Sequence, residues 1–247
     1  MCGRYAFTLP PAAMATLFEL PVGIDYPPRY NIAPTQPIVA IVEQQGRRTA
    51  ELFRWGFVPG WVKDPRAFSL LVNARAESMA AKPSFRDAVR NMRCVVPASG
   101  YYEWMKGADG TRRPYYITSA ETETMAFAGL WSTWAGPNGE EVDTACIVTV
   151  APNLEISGIY DRMPAILRGR AAIDAWLNTR DVDTAEAVGL AMPAPPGTMS
   201  YHPVGKAIGN AAAEGPGLIL PLTPEQLAEA EPPVRPGKKP AAQLDLF

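Results

Sequence analysis

Short apolar segments separated by turn-forming residues run along most of the chain, a pattern typical of a protein built from many short β-strands. Val, Ile, Tyr, Phe and Trp are common in these segments, and Gly, Pro, Asn and Asp separate them. The pattern predicts strands over residues 2–8, 38–42, 51–55, 94–97, 100–105, 114–118, 126–131 and 144–150. Asp109-Gly110, between the fifth and sixth of these segments, predicts a β-hairpin.

Helical periodicity is confined to short segments, which predict helices over residues 10–20, 84–91, 170–178 and 223–230. Ser84 is expected to cap the second helix, and Thr223 and Gln226 have the spacing of a capping box at the start of the fourth. Many short strands with few short helices predict an α+β fold. We expect a single domain over residues 1–230, with a bent, barrel-like antiparallel β-sheet and short flanking helices.

The composition is that of an ordinary globular protein, with 47% apolar and 19% charged residues. No apolar run approaches the roughly 18 residues of a membrane span, and prolines and Glu19 interrupt any signal-peptide core near the start. We therefore expect a cytoplasmic monomer without a membrane partner. Residues 231–242 are proline-rich and charged, which predicts a flexible linker.

Three cysteines occur, and neither their spacing nor the single histidine suggests a metal site. Cys94 and Cys146 lie in apolar runs and are expected to be buried structural residues. We expect no metal and no cofactor.

Cys2 differs from the other two because removal of Met1 would make it the amino terminus. One residue would then carry a free α-amine and a thiol, whose ordinary pKa values are about 7.7–8.0 and about 8.5. The amine can condense with an aldehyde to an imine, and the thiol can close on the same carbon to give a five-membered thiazolidine. The alternative is that Cys2 is simply the second residue of the chain.

Charge is distributed unevenly between the two halves of the chain. Residues 1–106 hold 13 Lys and Arg against 8 Asp and Glu, whereas the whole chain has a net charge of −2. A basic first half is compatible with a phosphate-binding face, although chance asymmetry on a solvated surface would look the same.

A set of motifs extends this picture. In chain order they are MCGR at 1–4, RYNIAPT at 29–35, WGFVP at 55–59, NARAE at 73–77, PSFR at 83–86, RCVVPASGYYEW at 93–104 and DRMP at 161–164. In this order the set resembles the SOS-response-associated peptidase (SRAP) family, over roughly residues 2–222. The resemblance implies a protein of the DNA damage response that recognises abasic sites in single-stranded DNA. It would protect the lesion by crosslinking to it through the N-terminal cysteine. It also implies possible lyase activity and autocatalytic removal of Met1.

The resemblance assigns catalytic roles to Cys2, Asn73 and Glu103. Glu103 would shuttle protons during imine formation, and Asn73 would hydrogen-bond the sugar or the Cys2 backbone. The alternatives are an ion pair to an arginine for Glu103 and a turn cap for Asn73.

The remaining matched positions imply DNA contacts. Arg4 and Arg75 match phosphate-binding arginines, and Trp61 is placed to stack on a splayed base. Arg86 and Arg162 are further candidates, for which structural salt bridges are the alternative.

Tyr160 is a departure, because the family pattern has a histidine just before DRMP. A tyrosine donates a hydrogen bond, but its reference pKa of about 10 makes it a poor proton shuttle at neutral pH. We expect crosslinking to persist and ring opening or reversal to slow. The only histidine, His202, is expected to be structural.

The last five residues carry a second signal. Gln243, Leu244, Asp245, Leu246 and Phe247 resemble the pentapeptide by which bacterial proteins bind the DNA polymerase sliding clamp. Short apolar anchors on a flexible linker suit insertion into a partner's pocket. The alternative is a frayed amphipathic terminus.

Three functions therefore stay open. The first is an abasic-site sensor that forms a covalent DNA crosslink, the second an N-terminal cysteine peptidase or amidohydrolase, and the third a non-catalytic single-stranded DNA-binding module. The aminothiol, the basic first half and the clamp-like peptide jointly favour the first.

Overall fold

The computed structural model describes residues 2–107 and 109–230, which fold around two β-sheets with short helices on their outer faces. The strands are β1 (Tyr5–Phe7), β2 (Arg29–Ile32), β3 (Pro37–Gln44), β4 (Arg47–Trp55), β5 (Asn73–Arg75), β6 (Arg93–Ala98), β7 (Gly100–Lys106), β8 (Arg112–Ser119), β9 (Met125–Ala135), β10 (Glu141–Val150), β11 (Met163–Pro164) and β12 (Met199–Pro203). The helices are α1 (Pro11–Phe18), α2 (Ala76–Met79), α3 (Arg86–Asn91), α4 (Leu154–Ser157), α5 (Gly169–Leu177), α6 (Thr184–Leu190) and α7 (Pro224–Ala230). Two 3₁₀ turns cover Lys206–Gly209 and Pro216–Ile219.

Five strands close into a barrel in the order β10, β4, β3, β6 and β9, with β9 pairing back to β10. Closure removes exposed strand edges. The predicted α+β barrel is thus confirmed, but the sheet is not wholly antiparallel, because β10 runs parallel to β4 and to β5.

The second sheet has the order β12, β8, β7, β1 and β2, and it packs against the barrel. Tyr5 of β1 joins the two layers, because its ring lies 5.3 Å from that of Trp55 and 6.4 Å from that of Phe127 in edge-on contacts. All three side chains are buried, so β1 and its neighbour β7 are held rigidly on the barrel wall.

Cys94 and Cys146 are buried and unpaired, as predicted. Gly129, on the strand between them, leaves room for the first thiol. A Cβ at Gly129 would lie 2.8 Å from Cys94 Sγ, so a larger residue would require the barrel to shift.

Arg93 is the one buried arginine of the described core, with 1% of its surface exposed. Its guanidinium donates to the carbonyl oxygens of Val89, Trp176, Asn178 and Val182 at 2.6–3.0 Å. Burial lowers its pKa to about 10, so it remains charged at pH 7. It therefore joins the ends of α3 and α5 through otherwise unpaired carbonyls.

The predicted strands are all present, mostly longer than expected, and the capping box is confirmed by the hydrogen bond from Gln226 N to Thr223 Oγ1 at 3.3 Å. His202 Nε2 lies 2.8 Å from the Ile219 carbonyl oxygen, which fits the structural role expected of it. The expected Ser84 cap is wrong, because α3 starts later and Phe85 is its N-cap residue.

None of the described helices is long and apolar enough to cross a membrane. The predicted linker 231–242 and pentapeptide 243–247 lie outside the described residues.

Candidate functional site

The register of β1 against β7 places Cys2 beside Glu103. Tyr5 pairs with Tyr101, and Tyr102 N donates to the Arg4 carbonyl at 2.9 Å. Continuing this antiparallel register sets residue 3 opposite Glu103, with Cys2 next along the chain. Cys2 is 0% exposed and Glu103 is 3% exposed, so both groups lie in a largely water-free environment.

Burial raises the pKa of the Glu103 carboxyl to about 7, and the nearby Asp161 acts in the same direction. The pKa of the Cys2 thiol is also raised, first by burial and then by the negative charge of Glu103. Glu103 can therefore hold or release a proton near neutral pH, and the thiol beside it is protonated there.

Tyr160 and Asp161 line a cleft of about 610 Å³ together with Glu103. They follow α4, whose start is capped by Asn153 Oδ1 accepting from Ile156 N at 3.2 Å. Tyr160 N in turn donates to the Ile156 carbonyl at 3.0 Å, so this turn fixes where the tyrosine enters the cleft. We call this cavity the reactive cleft.

Charges on several elements act on the Tyr160 hydroxyl. Burial, Glu103 and Asp161 raise its pKa, while Arg112 and Arg75 act against the increase. Tyr160 therefore stays protonated at neutral pH, where its hydroxyl can donate or accept a hydrogen bond but is not available as a phenolate base. Arg75, Glu103 and Arg112 lie on β5, β7 and β8, so these three strands each contribute one charged group near Tyr160.

Asn73 and Arg75 lie on β5, which pairs with β10 in parallel. Asn73 Nδ2 donates to the Ile147 carbonyl at 3.4 Å, whereas its buried Oδ1 finds no hydrogen-bond partner among the described residues. An unsatisfied buried acceptor is costly unless another group binds it. Arg75 is exposed next to it.

Arg4 is partly engaged within the protein. Its Nη1 donates to Asn31 Oδ1 at 2.8 Å, and Asn31 Nδ2 donates to the Asn210 and Ala213 carbonyls, both at 2.8 Å. This network ties the start of the chain to the segment after β12. Arg4 is half-buried, and its buried Nε has no hydrogen-bond partner among the described residues.

Arg162 forms a bidentate ion pair with Glu77, with N–O distances of 2.7 and 2.9 Å. It also donates to the Thr149 carbonyl. Two roles are predicted for Arg162, a DNA contact and a structural salt bridge. In the structure it forms the salt bridge.

Trp61 and Arg86 lie outside the lining of the reactive cleft. Trp61 is 58% exposed and borders a cavity of about 390 Å³ with Phe57 and Trp131, which shares no lining residue with the reactive cleft. Arg86 is also exposed, and its Nε lies 3.6 Å from Asp87. The structure therefore brings together Cys2, Glu103 and Tyr160, with Arg75 nearby, but not Trp61.

Sequence reasoning missed several residues of this region. Asp161 lies within the DRMP motif, and Lys106 and Arg112 flank the predicted hairpin turn, but no sequence signal marks these three as site residues. The Asp109-Gly110 signal does not give this pair, because a two-residue turn at those positions would set Lys106 opposite Arg113, whereas the observed register sets it opposite Arg112. Among the described residues, no three His, Cys, Asp or Glu side chains cluster as metal ligands.

Solved structures of other proteins have the same fold as this chain. A crystal structure of a protein from Bacteroides thetaiotaomicron superposes with a TM-score of 0.79, covering 90% of this chain and 100% of that one at 24% identity. The two chains thus share the same barrel architecture.

Comparison of sequences gives the family. The family model described as SOS response associated peptidase (SRAP) matches residues 1–211. Abasic site processing protein YoqW of Bacillus subtilis is 34% identical over 89% of this chain and 99% of its own. Abasic site processing protein YedK of Escherichia coli is 31% identical over 90% and 100%. The chain belongs to the SRAP family.

Proposed function

We propose that this protein recognises abasic sites in single-stranded DNA and attaches to them covalently through Cys2. The observation that carries the proposal is the juxtaposition of Cys2 with a buried carboxyl whose pKa is about 7. Relatives named as abasic site processing proteins support the choice of substrate.

The reaction begins after hydrolysis of the Met1–Cys2 peptide bond, which frees the Cys2 amine. An abasic deoxyribose in its ring-opened form carries an aldehyde at C1′. The amine adds to that carbon, a proton moves from nitrogen to oxygen, and loss of water gives a Schiff base. The thiol then adds to the imine carbon while its proton passes to nitrogen. The product is a thiazolidine that contains both Cys2 heteroatoms.

Glu103 supplies the proton transfers. Its carboxyl is partly protonated at neutral pH, so it can donate to the departing hydroxyl and accept a proton from an attacking group. The same burial that raises its pKa keeps bulk water from the imine.

Arg75, Arg4 and Asn73 are proposed to hold the DNA. Arg75 is exposed beside the cleft and suits a bidentate phosphate contact. Asn73 Oδ1 has an open acceptor position that a sugar hydroxyl can fill. Binding there would satisfy a group that the free protein leaves unpaired.

Two further activities follow from the same groups. Abstraction of a C2′ proton from the Schiff base would cleave the strand by β-elimination, and ring closure to the thiazolidine competes with that path. We propose that peptidase activity is confined to removal of Met1, the one peptide cleavage that this mechanism requires.

A denaturing gel tests the proposal. The protein is incubated with single-stranded DNA carrying one abasic site, and we expect a heat-stable band of reduced mobility. Cys2→Ala should abolish that band, while Cys94→Ala, which removes a thiol elsewhere in the barrel, should retain it. In Cys2→Ser the amine remains, so borohydride should trap a Schiff base although no stable thiazolidine forms. A heat-stable band with Cys2→Ala would overturn the mechanism, and no band with any protein would favour a hydrolase or a simple binding module.

A further inference from the structure

A second groove adjoins the reactive cleft, and Arg112 lines both. The groove has a volume of about 320 Å³, and Arg113, Lys206 and Gln226 also line it. It lies between β8 and the segment that follows β12, where Val204 N donates to the Pro114 carbonyl at 3.0 Å. We call it the basic groove.

Lys106 and Arg112 are directly paired across the antiparallel strands β7 and β8. Side chains at such positions point to the same face, and like charges placed opposite each other destabilise a sheet. Both residues are exposed, and both line the reactive cleft. Glu103 and Asp161 line the same cleft and offset part of this repulsion, and an anion bound on the groove side of Arg112 would offset more of it.

Among the described residues, acidic side chains line the adjoining reactive cleft, where Glu103 and Asp161 lie with Arg112, and not the basic groove itself. The lining of the basic groove contains no Asp or Glu, and over residues 2–107 and 109–230 no carboxylate forms an ion pair with Arg112 or Lys206. Asp109, on the same hairpin, accepts hydrogen bonds from Thr111 N and Oγ1 at 3.0 and 2.7 Å, and its charge also interacts with that of Arg113.

The floor of the basic groove is apolar. Val204 is buried, and Leu222 is half-buried with its N donating to the Pro203 carbonyl at 3.1 Å. Cations along the rim and apolar side chains below suit a polymer that has charged and uncharged parts, as the phosphates and sugars of a nucleic acid strand do.

We propose that the basic groove binds the phosphate backbone on one side of the lesion, so that the strand passes from the reactive cleft across Arg112 to Lys206. This inference rests on the proposed function for what occupies the reactive cleft. It also predicts that the protein contacts the strand on only one side of the lesion, either 5′ or 3′, because the basic groove lies on only one side of that cleft. The ligand class is the phosphodiester backbone itself, without base specificity.

The test is noncovalent affinity for oligonucleotides that contain a tetrahydrofuran analogue of an abasic site, which has no aldehyde. Three strands are compared: one with two nucleotides on each side of the analogue, one extended only 5′ and one extended only 3′. The proteins are the wild type, Lys206→Gln and the matched control Arg180→Gln. Arg180 is an exposed arginine that lines neither cavity. Fluorescence anisotropy gives Kd at several salt concentrations.

We expect the wild type to gain affinity from extension in one polarity only. Lys206→Gln should lose about threefold to tenfold of that gain, with the slope of log affinity against log salt falling by about 0.7, the value for one phosphate contact to a single strand. Arg180→Gln should behave as the wild type. Equal gains from both extensions, or a gain that Lys206→Gln leaves intact, would overturn the inference. Because the analogue cannot crosslink, this result is independent of whether the covalent reaction occurs.

Discussion

Arg162 and Glu77 form two parallel hydrogen bonds, of 2.7 and 2.9 Å, between the segment that carries Tyr160 and the segment that carries Arg75. Only 13% of the Arg162 side chain is exposed, and it also donates to the Thr149 carbonyl on β10. One guanidinium therefore sets the spacing between two walls of the site.

Replacing Glu77 by Gln removes the charge from this pair while keeping its size. We expect the free energy of unfolding at pH 7 to fall by about 1–2 kcal/mol, because a largely buried guanidinium loses its counter-charge, although the exposure of Glu77 limits the effect. Urea denaturation measures it. Glu121→Gln is the matched control, because the Glu121–Arg168 pair is exposed on both sides, and it should cost less than about 0.5 kcal/mol.

The contribution of Glu77 should also depend on pH. Its hydrogen bonds to Arg162 lower its pKa in the folded state, so the unfolded chain binds the proton more tightly. The stabilisation is therefore present above the unfolded pKa of about 4.3 and is lost as pH falls through the folded value. A difference between wild type and Glu77→Gln that stays the same from pH 7 to pH 3 would contradict this.

Glu103 should have the opposite effect on stability. Its folded pKa of about 7 lies above its ordinary value of 4.5, so the folded protein binds the proton more tightly. Stability from this residue is complete below about pH 4.5 and declines by about 3 kcal/mol as pH rises through 7. Urea denaturation from pH 5 to 8 should show this decline in the wild type and not in Glu103→Gln. Parallel pH profiles would show that the carboxyl is ionised throughout.

Tyr160 is expected to limit acid–base steps at the sugar, because its hydroxyl stays protonated at neutral pH. Tyr160→His should change the rates of crosslink formation and reversal by about tenfold or more, since general acid–base catalysis is worth about 10²–10⁴-fold. Single-turnover gels at pH 6–8 measure both rates. Tyr160→Phe separates the two properties, because it removes the hydroxyl without supplying an imidazole. Identical kinetics for wild type and Tyr160→His would refute the role.

The clamp-like peptide makes a separate prediction. Deleting residues 243–247 should abolish capture of the protein by an immobilised bacterial sliding clamp if, as the sequence predicts, Leu244, Leu246 and Phe247 supply the apolar anchors. Replacing Lys238 and Lys239 by alanine within the adjoining residues is the control and should leave capture intact. If the deletion leaves capture unchanged, the peptide is not the binding segment.

The sequence predicted the barrel well because its strands have strongly apolar inner faces, such as those of β6 and β9. It missed β12, because Ser200, Tyr201 and His202 give that edge strand no apolar face. It also missed α6, whose only fully buried residue is Ala187. Elements that contribute little to the core leave little periodicity in the sequence.

Within the candidate site, motif resemblance singled out Cys2, Glu103 and Tyr160. The register of β1 against β7 explains why Cys2 lies beside Glu103, and the turn after α4 explains where Tyr160 enters the cleft. The pairing of Arg162 with Glu77 depends on two segments far apart in sequence, and nothing local to either indicates it. The raised pKa of Glu103 has the same origin, because burial is a property of the assembled sheets.

Two strands, β4 and β5, pair one after the other along the same edge of β10. Arg54 and Trp55 of β4 pair with its first part, and β5 pairs with its later part. Residues 56–72 leave this edge and return to it, and a bridge between Phe57 and Leu71 and a hydrogen bond from Trp55 Nε1 to the Val72 carbonyl close the base. The loop that carries Trp61 therefore has its two ends held together by these contacts. Lengthening this loop would carry only a small entropic cost and would leave Asn73 on the barrel wall.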